Sequence, residues 1–258
     1  MGNLIKCEFY KLKKSLTYKL ILISLLVFEI IFVRNEISVG VMHSGVLYKG
    51  AEWLYRTPAQ ASYYMGFLFI YAADFAAGEF RNRTYAACFL CGYPRKVLLW
   101  AKAVAYFTGL IPFLLIHAVT GTVMWTIQSG FGMRMSAELA ALVGKALVYC
   151  IIGFTVFGCM GFLCAFVAGN RIGALSLNWA VVYILGVLAA NAEDIKYPVV
   201  SKVLVFIFRL TVFLQLGELN GVKIMKHIPL GVTFFSSLAW IALMLLAAKK
   251  LFEKRDLK

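Results

Sequence analysis

Chemistry needs polar side chains at fixed spacings, and this chain supplies few of them. Cys88-x-x-Cys91 has the spacing of a metal or redox pair. A closed zinc site needs four ligands, however, and neither a second pair nor a histidine lies nearby, so packing on a helix face is the simpler reading. The three histidines, His43, His117 and His227, are dispersed, and no H-E-x-x-H or G-x-S-x-G motif occurs. Gly144-Lys145 lacks both the upstream glycine and the following hydroxyl residue of a phosphate-binding loop, so the chain has no such route to ATP. Glu29, Asp74 and His117 lie in or beside apolar runs, and counting along those runs puts them at different depths. An acid, a base and a nucleophile must come within hydrogen-bond reach of one another, which argues against an enzyme working inside a bilayer. Lone His117 reads as a hydrogen-bonded packing residue. A carboxylate at Glu29 costs on the order of 3 kcal/mol unless it faces protein or water, and reads as packed or snorkelling near the outer surface.

Composition sets the class. Hydrophobic residues make up 62% of the 258 and charged residues 15%, with a mean hydropathy of +0.83. A soluble domain carries about 25% charged residues, so the expectation is an all-α polytopic membrane protein, residues 1–258 forming a single transmembrane domain. The net charge of +14 sits beside the apolar runs, where anionic lipid and membrane orientation account for it better than nucleic acid does. Cys150, Cys159 and Cys164 lie within an apolar run and read as reduced, buried thiols.

Six spans are expected. Residues 1–16 form an interfacial amphipathic helix, with Ile5, Phe9, Leu12 and Leu16 as its apolar stripe and its lysines at the headgroups. A cleaved signal peptide is the rival, but the basic region is too long and no small-residue cleavage site follows. The first span covers about 20–33. A polar segment from Arg34 to Gln60 follows, with Trp53 and Tyr55 as interface anchors. The second span is 61–77. The third, 97–126, is kinked by Pro112, and the fourth, 139–168, has Gly158, Gly161 and Ala165 on one face for close helix approach. After a tight Asn170-Arg171 turn, the fifth span is 172–190. The interrupted apolar run within 191–227 reads as re-entrant helices dipping into the outer leaflet, and the last span is 228–248. Most of the 26 Lys and Arg residues then share one side with both termini, which the positive-inside rule makes cytoplasmic. On that side the glycosylation acceptor pattern Asn82-Arg83-Thr84 has no consequence.

The loop from Asp74 to Lys102 is the distinctive stretch. Arg81, Arg83, Arg95, Lys96 and Lys102 flank a short apolar-aromatic segment, Tyr85, Phe89 and Leu90, closed by Gly92-Tyr93-Pro94. This predicts a short helix across the membrane face, ended by a turn that re-aims the chain into the next span.

The run Glu79-Phe80-Arg81-Asn82-Arg83-Thr84, then Gly92-Tyr93-Pro94-Arg95-Lys96, then Lys102, resembles the signature of type-2 ATP-binding-cassette (ABC) exporter permeases. The N-terminal Glu8-Phe9-Tyr10-Lys11 and the C-terminal stretch from Phe252 to Asp256 fit the same pattern, in the same order along the chain. Arg83 departs from it, standing where the family usually has glycine. The resemblance implies a membrane subunit, pairing with a second copy or a sister permease, that docks on a separate dimer of ABC ATPase subunits. ATP and Mg would be on that partner, with no cofactor, metal or catalytic site here. Residues 84–92 would be the coupling helix between spans 2 and 3. ATPase coupling would fall to Glu79, Arg81, Thr84, Tyr85, Phe89, Gly92, Pro94 and Arg95. Tyr63, Tyr64, Phe67 and Tyr71 are the candidate substrate path. The implied cargo is amphipathic or hydrophobic, an antimicrobial peptide, antibiotic or lipid-like molecule, exported across a bacterial plasma membrane. The alternatives are a non-transporting membrane sensor or immunity protein and, from another class, an intramembrane enzyme.

Overall fold

A computed structural model describes residues 2–43, 49–81, 84–132, 137–190 and 230–254. Every regular element among them is helical: α1 (Gly2–Lys14), α2 (Leu16–His43), α3 (Gly50–Gln60), α4 (Met65–Ala72), α5 (Gly78–Arg81), α6 (Thr84–Leu90), α7 (Arg95–Ser129), α8 (Ala137–Ala168), α9 (Arg171–Ala190) and α10 (Leu230–Lys254). Stretches of α2, α7, α8 and α10 are long and apolar enough to cross a membrane, and α9 carries a shorter apolar stretch, Arg171–Val187. This is compatible with a membrane location. The re-entrant segment expected at 191–227 lies outside the described residues.

Local sequence explains the helix ends. Ser15 opens α2, its hydroxyl accepting the Tyr18 N–H at 3.2 Å. Gly169, with φ of 68°, closes α8, and Asn170 caps α9 by accepting the Gly173 N–H at 2.6 Å. The tight turn expected at Asn170-Arg171 is therefore built by Gly169 and Asn170. Helix α7 runs unbroken through Pro112.

Helix α8 is the axis of the bundle: 72% of its most apolar window is buried, against 28% for α2 and 11% for α10. Its small residues let neighbours come close. A side chain at Gly158 would strike Leu110 of α7, and one at Gly161 would meet the Cβ of Ala72 in α4 at 2.9 Å. Tyrosines at the helix contacts donate to main-chain carbonyls, buried Tyr106 to Gly158 at 3.0 Å and half-buried Tyr18 to Gly109 at 2.8 Å. The Tyr71 and Tyr106 rings stack at 4.9 Å.

Three expectations are corrected. The stretch 34–60 is not a polar surface segment: α2 extends to His43, and α3 packs back against α7 and α8. Trp53 is therefore no interface anchor; it is buried beside Trp125 and His117. The buried face of α1 is Leu4, Glu8 and Leu12, while Leu16 is 70% exposed and begins α2. The second apolar run is helical with two irregular turns. The chain is helical from Gly50 to Arg81 but passes through a 3-10 turn at Ala61–Tyr64 and a π turn at Ala73–Ala77.

Close approach at Gly121 gives a test. A Cβ there would run into the Trp53 indole, and Trp53 is enclosed. Gly121→Ala should cost about 1–3 kcal/mol through overpacking, read as a lowered unfolding midpoint in detergent or nanodiscs, while Gly144→Ala, inside α8 and meeting nothing within 4 Å, should hold or slightly raise it.

Candidate functional site

Four charged side chains from three distant parts of the chain close into a ring. Lys102 of α7 donates to Glu8 at 2.9 Å and lies 3.0 Å from Glu79; Lys11 bonds the other oxygens of the same two carboxylates, at 2.7 Å and 3.1 Å. Two acids and two bases cancel. Lys102 and Glu8 are almost wholly buried, Glu79 is 14% exposed and Lys11 is 35% exposed at the outer edge. The Lys102 ammonium has three N–H donors, and a third acceptor is supplied by the Phe75 carbonyl at 3.3 Å. That carbonyl lies in the π turn, where the helical ladder slips by one residue and carbonyls are released from their usual partners. The Phe75 ring lies 4.2 Å from the ammonium and the Tyr85 ring 5.6 Å.

Burial works against charge in this ring, and the partners outweigh it. For Glu8, burial raises the carboxyl, but the Lys102 charge and the Lys11 and Lys102 hydrogen bonds bring it below the ordinary value of 4.5. For Lys11, burial lowers the ammonium, and Glu79 and Glu8 together hold it above its ordinary value. Both shifts favour the ionised ring through neutral pH.

The ring sits directly above α6. Tyr85 of α6 is buried, its hydroxyl donating to the Ala76 carbonyl at 3.2 Å, and burial pushes its phenol well above the ordinary value. Its ring packs on Phe80 at 4.6 Å and on Phe252 of α10 at 5.1 Å, and Phe252 also meets Phe166 and Phe89. Arg95, at the start of α7, donates to the Glu253 carbonyl at 2.6 Å, satisfying the C-terminal end of α10, and stands 5.4 Å from the Phe89 ring. Helix α6 stops where Gly92, with φ of 82°, donates to the Phe89 carbonyl at 2.8 Å and Tyr93 donates to that of Cys88 at 3.3 Å. This pair of bonds forms a Schellman end, which glycine permits, and Pro94 then leads into α7 in an extended conformation. The turn expected at Gly92-Tyr93-Pro94 is present. Leu90, at the tip, is 90% exposed. Beside the ring, Arg171 pairs with Asp74 at 2.8 Å across a cleft of about 120 Å³ shared with Glu8, Lys11 and Glu79.

Of the residues singled out in the sequence, Glu79, Tyr85, Phe89, Gly92, Pro94 and Arg95 thus come together at this end of the bundle, with Thr84 half-buried at the start of α6. The Arg81 side chain lies outside the described set. The four aromatic residues do not share one surface: Tyr64 and Tyr71 are in the core, Tyr63 is 58% exposed and Phe67 is half-buried. Glu8, Lys11, Lys102 and Phe252 were absent from the candidate site residues and prove central to it. Their signal was present in the paired acid and base at either end of Glu8-Phe9-Tyr10-Lys11 and in a lone lysine inside an apolar run. Glu29 and His117 were expected at different depths, yet their side chains meet, 3.4 Å apart and fully buried. Cys88 and Cys91 are free thiols, and among the described residues no group of three or more His, Cys, Asp or Glu side chains could hold a metal ion.

No protein-family model matches this chain, and no curated protein matches it.

Removing one member of a buried ring leaves charges without partners. Lys102→Met leaves Lys11 as the one ring cation facing both Glu8 and Glu79, with a buried negative charge uncompensated, and should cost about 3–5 kcal/mol; Lys11→Met, at the exposed edge, should cost clearly less, both read from thermal unfolding in nanodiscs. A carboxyl held low in the folded state stabilises it above the unfolded value and loses that contribution as pH falls through the folded value. Unfolding midpoints should therefore drop as pH is taken below 4.5, and Glu8→Gln should flatten part of that slope.

Proposed function

We propose that this chain is the membrane subunit of an ATP-driven exporter of the type-2 ABC permease kind, with α6 as the coupling helix that engages a separate ATPase dimer. The observation that carries this reading is convergence. The residues that bear the resemblance, Glu8, Lys11, Glu79, Arg95, Lys102 and Phe252, are spread over almost the whole sequence, and they meet around one short surface helix. A helix that must pass on a push needs a rigid seat and a free face. Tyr85, Phe89 and Phe252 supply the seat, and Leu90 with the exposed residues from Cys91 to Pro94 supplies the face. Closure of the two ATPases would displace α6, and the charged ring would carry that displacement into α1 and α7 as one body.

In the full reading the chain has six spans and a re-entrant outer segment, with both termini in the cytoplasm of a bacterial cell. The four long apolar helices, the shorter α9 and the helical path through α4 supply six candidates. Two permeases, this chain with a second copy or a sister subunit, would stand on two ATPases. The cargo would be amphipathic or hydrophobic, an antimicrobial peptide, antibiotic or lipid-like molecule, and ATP and Mg would act on the partner.

The test is to express the chain with ABC ATPase subunits encoded in its own genome and to measure co-purification and ATP hydrolysis in lipid. A stable complex is expected. Leu90→Asp, which alters only an exposed tip, should abolish the complex while leaving the unfolding midpoint of the isolated chain unchanged. A chain that purifies without any of those ATPases, or a complex indifferent to Leu90→Asp, overturns the reading.

A further inference from the structure

A second polar cluster lies buried within the bundle, away from the charged ring. Glu29 stands on the single buried stripe of α2, between Leu25 and Val33. Both of its carboxyl oxygens are 3.4 Å from Nδ1 of His117 in α7. The hydroxyl of Tyr64 donates to Glu29, and Nε2 of His117 lies 3.0 Å from the Thr57 carbonyl of α3. Glu29, His117 and Tyr64 are each fully buried.

Hydrogen-bond chemistry limits what this arrangement can hold. A carbonyl only accepts, so Nε2 must carry a hydrogen, and Nδ1 is then the nitrogen that faces the carboxyl group. With no proton between them, a carboxylate would face a nitrogen lone pair in apolar surroundings. One proton between them gives either a neutral acid donating to a neutral imidazole or a carboxylate paired with an imidazolium. In both forms the pair is neutral overall. A second proton would leave a net positive charge.

Among the described residues, the groups around the pair supply no competing charge. Tyr64 precedes α4, Trp53 and Thr57 come from α3, and Phe154 comes from α8; the Tyr64 and Trp53 rings lie 4.2 Å and 6.1 Å from the imidazole, and that of Phe154 lies 6.3 Å away. Of these, only the Tyr64 hydroxyl can titrate. On α8, Cys150 and Tyr149 are buried about one turn before Phe154.

We infer that Glu29 and His117 form a buried proton-binding site, holding one proton in common, whose occupancy fastens α2 to α7 while the Nε2–H of the same imidazole ties α7 to α3 through Thr57. The proton passes between a carboxyl oxygen and Nδ1: an O–H bond breaks as an N–H bond forms, and the net charge of the pair does not change. Losing the proton altogether leaves an unmatched carboxylate between α2 and α7, so the packing of these two helices depends on proton occupancy. This inference does not rest on the exporter reading.

The test uses the full chain in lipid nanodiscs. His117→Phe keeps a ring but removes both nitrogens, leaving Glu29 without a partner for its charge. Relative to the parent, its unfolding midpoint should fall as pH rises from about 5 to about 6, where an unfolded glutamate has shed its proton and an unfolded histidine still holds one, and the double variant Glu29→Gln/His117→Phe should not show this fall. A His117→Phe profile parallel to the parent, or a double variant that falls as steeply as His117→Phe, overturns the inference. Should His117→Phe not fold, nitrogen NMR decides. The chain has three histidines, so His43→Gln/His227→Gln leaves His117 as the sole imidazole signal. Nδ1 should lie displaced toward the protonated position, and Glu29→Gln should move it to that of a free lone pair. An Nδ1 signal indifferent to Glu29→Gln removes the shared proton.

Discussion

Two carboxylates and two ammonium groups, closed into a ring at the edge of an apolar bundle, are the constraint on which the rest of this structure depends. A buried ion is costly unless its partners satisfy it fully, and each member here is useful only while the others hold position. Glu8 and Lys11 fix α1 against the bundle, Glu79 fixes the end of the second apolar run, and Lys102 fixes the first turns of α7. The π turn supplies the last acceptor that Lys102 needs. The irregularity in the helix and the buried lysine therefore account for one another.

Below the ring an aromatic block takes over. Phe80, Tyr85, Phe89, Phe166 and Phe252 bring together α5, α6, α8 and α10, and Arg95 ties α7 to the last carbonyls of α10. Charge complementarity sets which segments meet at this end, and ring packing makes the meeting stiff. A surface helix seated in this way moves with its neighbours or not at all.

Much of this was legible in the sequence, for identifiable reasons. Long apolar runs gave α7, α8 and α9 to within a few residues, because a membrane-length helix needs only hydropathy to be recognised. Gly92-Tyr93-Pro94 announced its turn because one glycine and one proline restrict the backbone so strongly. Periodicity failed on α1, where the buried stripe includes Glu8: the residues that neutralise Glu8 include Glu79's partner Lys102, far along the chain, and no local pattern reports them. Trp53 and the Glu29–His117 contact were missed together. Polar residues around α3 read as a surface segment, whereas α3 packs back into the bundle and supplies the Thr57 carbonyl to His117. Depth counted along each run could not foresee that return.

The length of α7 has a consequence for the medium around it. Its 35 residues span about 50 Å at 1.5 Å per residue, well beyond the roughly 30 Å of hydrocarbon in a typical bilayer. Lys102 lies seven residues into that helix, about 10 Å from its start, so a bilayer centred on α7 would have the charged ring near its headgroups. In that placement a thicker bilayer would draw the ring toward acyl chains, and a thinner one would leave it in water. Lipid around a chain so placed would act on the same four side chains that join α1 to α7, and bilayer thickness would be a variable to which that joint responds.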